Sequence, residues 1–204
     1  MSQKFYIASC IFTEDFPALS QKIQEYIARR FELPIIRCCV DKYKVEEFEQ
    51  RMPEWYRPQW QSITHFQKFP RGSMIKCLSL WELSLSDEQF QYPDLGGEPI
   101  TVQDCWRSKE NRAEQNAVRS ILRRMNVSIV ELEENHERTR FCGYSLYQPQ
   151  PKRNAKLAPK RFVEGAKGFF EPHSDDEKRR LMVEYCRQIK TPRVVCYSTI
   201  ACAA

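Results

Sequence analysis

The sequence predicts an α/β protein made of two related strand–helix–strand units, each with a small, mainly parallel sheet. Three observations carry that expectation. Short apolar runs alternate with segments of helical periodicity along the chain. The breaker cluster "YPDLGGEP", residues 92–99, separates two stretches in which the same order of elements recurs. Cysteines stand at the ends of the predicted strands in both stretches. The halves are expected to cover residues 1–91 and 98–204, with their cysteine-bearing strand ends facing a cleft between them.

In the first half, "KFYIASCIF" reads as a buried strand. "TEDFPALSQKIQEYIARRF" follows as a helix, with Phe16, Leu19, Ile23, Ile27 and Phe31 recurring at helical spacing. Asp15 is its candidate N-cap, and Pro17 sits in the tolerated first turn. Pro34 precedes "PIIRCCV", a second strand, and "KVEEFEQRM" reads as a short helix stopped by Pro53. The aromatic, Pro-rich "PEWYRPQWQSITHFQKFPRG" reads as irregular, and "SMIKCLSLWELSL" as a third strand.

In the second half, "PITVQDC" is a strand ending in Cys105. "SKENRAEQNAVRSILRRM" is a helix whose stripe holds Ala117, Ile121 and Met125, flanked by Val118 and Leu122. "VSIVELEE" is the next strand, and "NHERTRFCGYS" is a loop carrying Cys142. "SDDEKRRLMVEYCRQIK" opens with Ser174 and Glu177 in capping-box spacing. "TPRVVCYSTIAC" supplies a last strand and the tail.

Composition narrows the function. The chain has 204 residues, which is one large domain or two small ones at roughly 100–200 residues each. It is 42% hydrophobic and 12% aromatic, enough to bury a core. No apolar run reaches the ~18 residues of a membrane span. The N-terminal "MSQKFYIASC" lacks a basic-then-apolar signal, so the cytoplasm is the expected location. The net charge is +5, and the densest basic stretch is "QPKRNAKLAPKRF", residues 150–162. A solvated loop explains that stretch more simply than nucleic-acid binding, although an acidic partner surface would suit it. There is neither a GxGxxG nor a P-loop, so no nucleotide site is expected.

The nine cysteines are the chemical signal: Cys10, Cys38, Cys39, Cys77, Cys105, Cys142, Cys186, Cys196 and Cys202. In a reducing compartment a dispersed set reads as metal or redox ligands before disulfides, with buried apolar thiols as the plain alternative. Cys38 and Cys39 are adjacent, and adjacent side chains of a strand point to opposite faces. Bringing both to one site needs an irregular backbone, and metal is one reason to build one. Cys10, Cys38 or Cys39, Cys105 and Cys196 fall at the carboxyl ends of predicted parallel strands, where ligands collect in such sheets. Cys186 shares a helical face with Met182 and Ile189 and reads as a core thiol. None of His65, His136 and His173 stands at ligand spacing from a cysteine; His136 and Glu137 either line a pocket or lie in a solvated loop. Trp55, Trp60, Trp81 and Trp106 read as core or site-covering aromatics, and Trp106 beside Cys105 is placed to screen a site from water. Asp104 beside Cys105 disfavours a thiolate there unless a cation reverses the effect.

The order of the pieces "IASC", "IIRCCV", "VQDCWRS", "VELEENHERTRFCGYSL" and "VVCYSTIAC" resembles the CCG, or cysteine-rich, domain family. That family includes the catalytic subunit of heterodisulfide reductase and the iron–sulfur subunits of lactate and glycolate oxidases. Its unit runs from a lone Cys to Cys-Cys-Gly and then Cys-x-x-Cys. Here Cys39 is followed by Val40, Cys142 is preceded by Phe141, and no Cys-x-x-Cys occurs. The resemblance spans nearly the whole chain. It implies a [4Fe-4S]-type iron–sulfur cluster, with Cys10, Cys38, Cys39 and Cys77 as ligands from the first half. Cys105, Cys142, Cys196 and Cys202 would serve the second, with Arg107 and Arg140 offsetting the cluster's charge. Zinc, which needs only four tetrahedral ligands, is the alternative. The implied function is a thiol- or disulfide-linked oxidoreductase or its electron-transfer subunit, acting on a small thiol or disulfide. A redox partner protein would relay electrons, since no ferredoxin-type cysteine run is present. The other readings are a non-enzymatic metal-binding protein and a relative that binds no metal.

Overall fold

A computed structural model describes residues 6–37, 78–149 and 160–197, with Lys152 and Ala155. Of Ile7, Cys10, Ile11, Ile36, Arg37, Lys160 and Arg161 it describes the backbone alone. The chain divides into two compact units, Met1–Arg71 and Gly72–Ala204.

In the first unit, β1 (Tyr6–Ala8) and β2 (Ile35–Arg37) pair in parallel, with Tyr6 against Ile35. Parallel neighbours need a crossover connection. Two helices make it, α1 (Cys10–Asp15) and α2 (Pro17–Phe31). The second starts at Pro17, in the first turn as expected, and the first stands partly where a strand is expected. Pro17 has no N–H and its ring crowds the preceding turn, so α1 cannot run through it. Asp15 closes α1 instead of capping α2, and the N-cap of α1 is Ser9, whose Oγ accepts the Phe12 N–H at 3.3 Å. The cap also shortens the first strand, so Cys10 opens a helix instead of ending a strand. On α2, Ile27 is fully buried, whereas Phe16 and Leu19 of the expected stripe are exposed.

The second unit holds a three-stranded, all-parallel sheet in the order β4–β3–β5. These are β3 (Pro99–Gln103), β4 (Ser128–Glu131) and β5 (Arg193–Cys196). The mixed α/β class with small parallel sheets is thus as expected. The central strand β3 is buried on both faces, as parallel strands between helices are. Ile100 and Val102 pack against Val118 and Leu122 of α4 (Arg112–Arg124). Thr101 and Gln103 point the other way. The Tyr185 hydroxyl of α5 (Asp175–Cys186) donates to Gln103 Oε1 at 2.6 Å.

The run expected as a third strand contains α3 (Leu80–Leu85). A capping box starts it: the Glu82 N–H donates to Ser79 Oγ at 3.2 Å, and the Ser79 N–H donates to Glu82 Oε2 at 2.8 Å. Trp81 then joins the α4-side core. A segment that the sequence assigns to the first half, residues 1–91, therefore packs within the second unit. The capping box at Ser174 and Glu177 starts α5 as expected. Cys186, however, is exposed and not a core thiol. α5 ends there, and the residue that covers the sheet in its last turn is Tyr185, stacked on Phe141 at 4.3 Å between ring centroids. No helix among the described residues is long and apolar enough to cross a membrane.

Candidate functional site

Just past the carboxyl end of β3 the chain makes a tight 3-10 turn, Trp106–Ser108, preceded by Cys105. A second 3-10 turn, Gly143–Tyr147, follows Cys142. Gly143 takes φ 56°, in the left-handed region that favours glycine, which accounts for the glycine of "FCG". The Trp106 N–H donates to the Phe141 carbonyl at 2.7 Å and ties the two turns together. The two sulfurs consequently lie 3.7 Å apart, and both cysteines are buried, at 1% and 0% exposure. The Ser145 hydroxyl holds the second turn, 2.7 Å from the Cys142 carbonyl and 3.1 Å from its sulfur.

The Cys142 thiol is biased toward ionisation. The Cys105 thiol donating to its sulfur has the largest influence, and burial opposes it. Arg107 and the Ser145 hydroxyl add to the first effect, and Cys142 comes down to about 6. A depressed folded value adds stability that is full above the unfolded thiol value, about 8.5, and is lost as pH falls through about 6. The urea midpoint of wild type should therefore gain on that of Cys142→Ser between about pH 6 and about pH 8.5. Glu114, pushed up to about 7 by burial and by the charge of Glu82, changes stability with the opposite sign. It is common to both proteins, so the difference between them isolates Cys142. A pH-independent difference would contradict the assignment.

Asp104, next to Cys105, points to the α4 side of the sheet and is fully buried. Its carboxylate accepts four bonds: Arg119 Nη1 and Nη2 at 3.0 and 2.9 Å, the Tyr197 hydroxyl at 2.6 Å and the His136 N–H at 2.7 Å. Burial pushes Asp104 up, but these donors outweigh it and hold the carboxyl below its usual range. Arg119 is itself buried and also forks onto Glu131, at 2.5 and 2.7 Å. Asn135 links the same centre to β3 by donating to the Val102 carbonyl at 2.9 Å. Arg119 is thus the cation that offsets Asp104 beside the thiol pair.

A cluster of aromatics covers the pair on its other side. Trp106, 1% exposed, packs with Phe162, Phe169 and Phe170 at centroid distances of 5.7, 5.7 and 5.2 Å. Trp106, Phe170 and the two cysteines belong to one buried group, with Phe162 and Phe169 half-buried against it. Cations lie over the rings: Arg107 over Phe162, Lys109 over Trp106 and Arg140 over Phe169, at 5.6, 5.5 and 4.9 Å. Trp106 therefore screens the thiols as expected, and Arg107 supplies positive charge to Cys142.

Of the predicted ligands, Cys105 and Cys142 come together. Cys196 aligns with Gln103 across the sheet, and its side chain packs with Phe141 and Met182 in a separate cluster. Cys38, Cys39, Cys77 and Cys202 lie outside the described residues, as does the side chain of Cys10. His65 lies outside them too, and His173 packs edge-on against Tyr147. The His136 N–H is bound into the Asp104 centre, and its ring Nδ1 lies 3.3 Å from Gln115 Oε1. The sequence reading missed Arg119, Glu131, Asn135, Ser145 and Tyr197. The available signal was Gln115 and Arg119, two polar residues placed among the apolar positions of α4.

Two thiolates on one tetrahedral ion, each at about 2.3 Å, stand about 3.8 Å apart. The observed 3.7 Å fits two such positions. Among the described residues no third His, Cys, Asp or Glu completes a ligand group with them. No protein-family model matches the chain, and no curated protein or solved structure matches it at a significant level.

Proposed function

We propose that the chain is a thiol-based redox protein of the CCG type, and that Cys105 and Cys142 are its working pair in the second unit. The observation that carries this is the contact of two buried thiols at 3.7 Å, one of them poised to ionise. Soft thiolates suit iron, and the pair would furnish part of the ligand set of a four-iron iron–sulfur cluster, which takes about four. Cys77 and Cys202, which belong to the same unit, are the candidates for the remaining positions, since Cys196 packs in a separate cluster; Cys10, Cys38 and Cys39 are the corresponding set of the first unit. Such a cluster supplies electron-transfer chemistry. The residues around it have separate tasks: Arg107 offsets thiolate charge, Trp106 and its phenylalanines exclude water, and Ser145 holds the Cys142 turn. A small thiol or disulfide is the substrate class and a separate protein is the electron partner, in a reducing compartment such as the cytoplasm.

The sulfur spacing favours one second reading, a single zinc ion in a non-catalytic site, because two thiolates on one ion adopt just this separation. Anaerobic reconstitution with iron and sulfide, followed by visible absorption and metal analysis, separates the readings. Broad sulfur-to-iron absorption with bound iron supports the first. Zinc retained through purification, with no such absorption, supports the second. A protein that takes up neither metal overturns both.

A further inference from the structure

We propose that Asp104 is the positioning residue of the thiol pair, and that its contacts hold Cys105 and Cys142 as a dithiol that closes to a disulfide in the metal-free protein. This deepens the reading of the pair as a working redox group. It is tested without metal, so its failure is distinct from a failure to bind a cluster.

Several segments converge on Asp104. Asp104 is joined by its own chain to Cys105, and three other segments meet on its carboxylate. Arg119 brings α4, the His136 N–H brings the segment that leads into Cys142, and Tyr197 brings the end of β5. The backbone of Asp104 is held as well. Its carbonyl accepts Gln103 Nε2 at 2.7 Å and Thr139 Oγ1 at 3.1 Å, and its N–H donates to Asn135 Oδ1 at 3.3 Å. Thr139 lies three residues before Cys142, so Asp104 touches the Cys142 segment both upstream, at His136, and near the thiol. The Trp106 N–H to Phe141 carbonyl bond then closes the frame on the other side of the sulfurs. A buried carboxylate with all of its bonds satisfied is rigid, and rigidity fixes how often the two sulfurs meet. Closure draws the sulfurs from 3.7 Å to the ~2.05 Å of a disulfide. In the closing step both S–H bonds break and one S–S bond forms. The two electrons and two protons pass to a small-molecule disulfide, such as oxidised glutathione, which becomes two thiols by way of a mixed disulfide.

The test equilibrates metal-free protein in buffers of reduced and oxidised glutathione and counts the Cys105–Cys142 disulfide by peptide mass spectrometry. Wild type should form it. Asp104→Asn keeps the size of the side chain but loses its charge-assisted bonds, and should shift the equilibrium constant by about tenfold or more toward the dithiol. Leu122→Ala, which opens the α4-side core away from the pair, should leave the constant unchanged while the protein remains folded. A wild-type protein that forms no such disulfide overturns the proposal. An unchanged constant in Asp104→Asn, or an equal shift in Leu122→Ala, also overturns it. Should Asp104→Asn fail to fold, Tyr197→Phe removes one donor alone and should shift the constant in the same direction by a smaller factor. No shift in that variant counts against the proposal.

Discussion

Arg119→Met is expected to cost the second unit about 3–5 kcal/mol, the range for breaking a buried ion pair from one side. Arg119 is 3% exposed and Asp104 is 0% exposed, so water cannot replace the lost bonds. The variant leaves the Asp104 carboxylate in the sheet with only the Tyr197 hydroxyl and the His136 N–H. Glu131 contributes less to the loss, because its side chain is 39% exposed and can rehydrate. Urea unfolding followed by tryptophan fluorescence measures the cost, and Trp106 lies inside the affected unit. Adding Asp104→Asn to Arg119→Met should return part of the loss, since the second change removes the stranded charge. A cost below about 1 kcal/mol, or a double variant weaker than the single one by a further full step, would show that the centre is not an ion pair of this kind.

The second large effect concerns the thiols. Cys142→Ser should lower metal affinity by more than roughly 10–100-fold, because even an outer partner of a ligand costs that much. Serine keeps the shape and the bond from Ser145 but offers iron and zinc a hard, un-ionised oxygen. Cys186→Ser should change nothing, since Cys186 is exposed at the end of α5. Both variants are read by metal analysis after the same anaerobic loading. Equal losses would mean that metal binds to surface thiols without regard to the buried pair.

Parts of this architecture were legible where one local signal dominated. β3, β4, β5 and α4 follow from apolar runs and a strong stripe, and α5 from its capping box. α3 was not, because "CLSLWELSL" alternates apolar and polar residues at several positions and so imitates a strand. Its Ser79–Glu82 box decides for helix, and the box carries more weight than a short alternation. The α1–α2 break was hidden for a related reason. Asp15 reads as a cap for α2 but closes α1, and Ser9, the cap of α1, sits inside an apolar run. At the site, Cys105 and the "FCG" of Cys142 were visible as residues. Their 3.7 Å contact was not, because it depends on a backbone bond between Trp106 and Phe141 that no spacing encodes. The Asp104 centre was least visible. Arg119 defaults to solvent in a sequence, and only its long-range pairing with Asp104 and Glu131 makes it interior.

X-ray absorption at the metal edge of anaerobically loaded protein, compared with the Cys105→Ser/Cys142→Ser variant, tests the central claim most directly. Wild type should show sulfur ligands at about 2.3 Å, and the double variant a spectrum that has lost sulfur or lost the metal altogether. The same sulfur count in both proteins, or a wild-type protein that binds no metal, would contradict it.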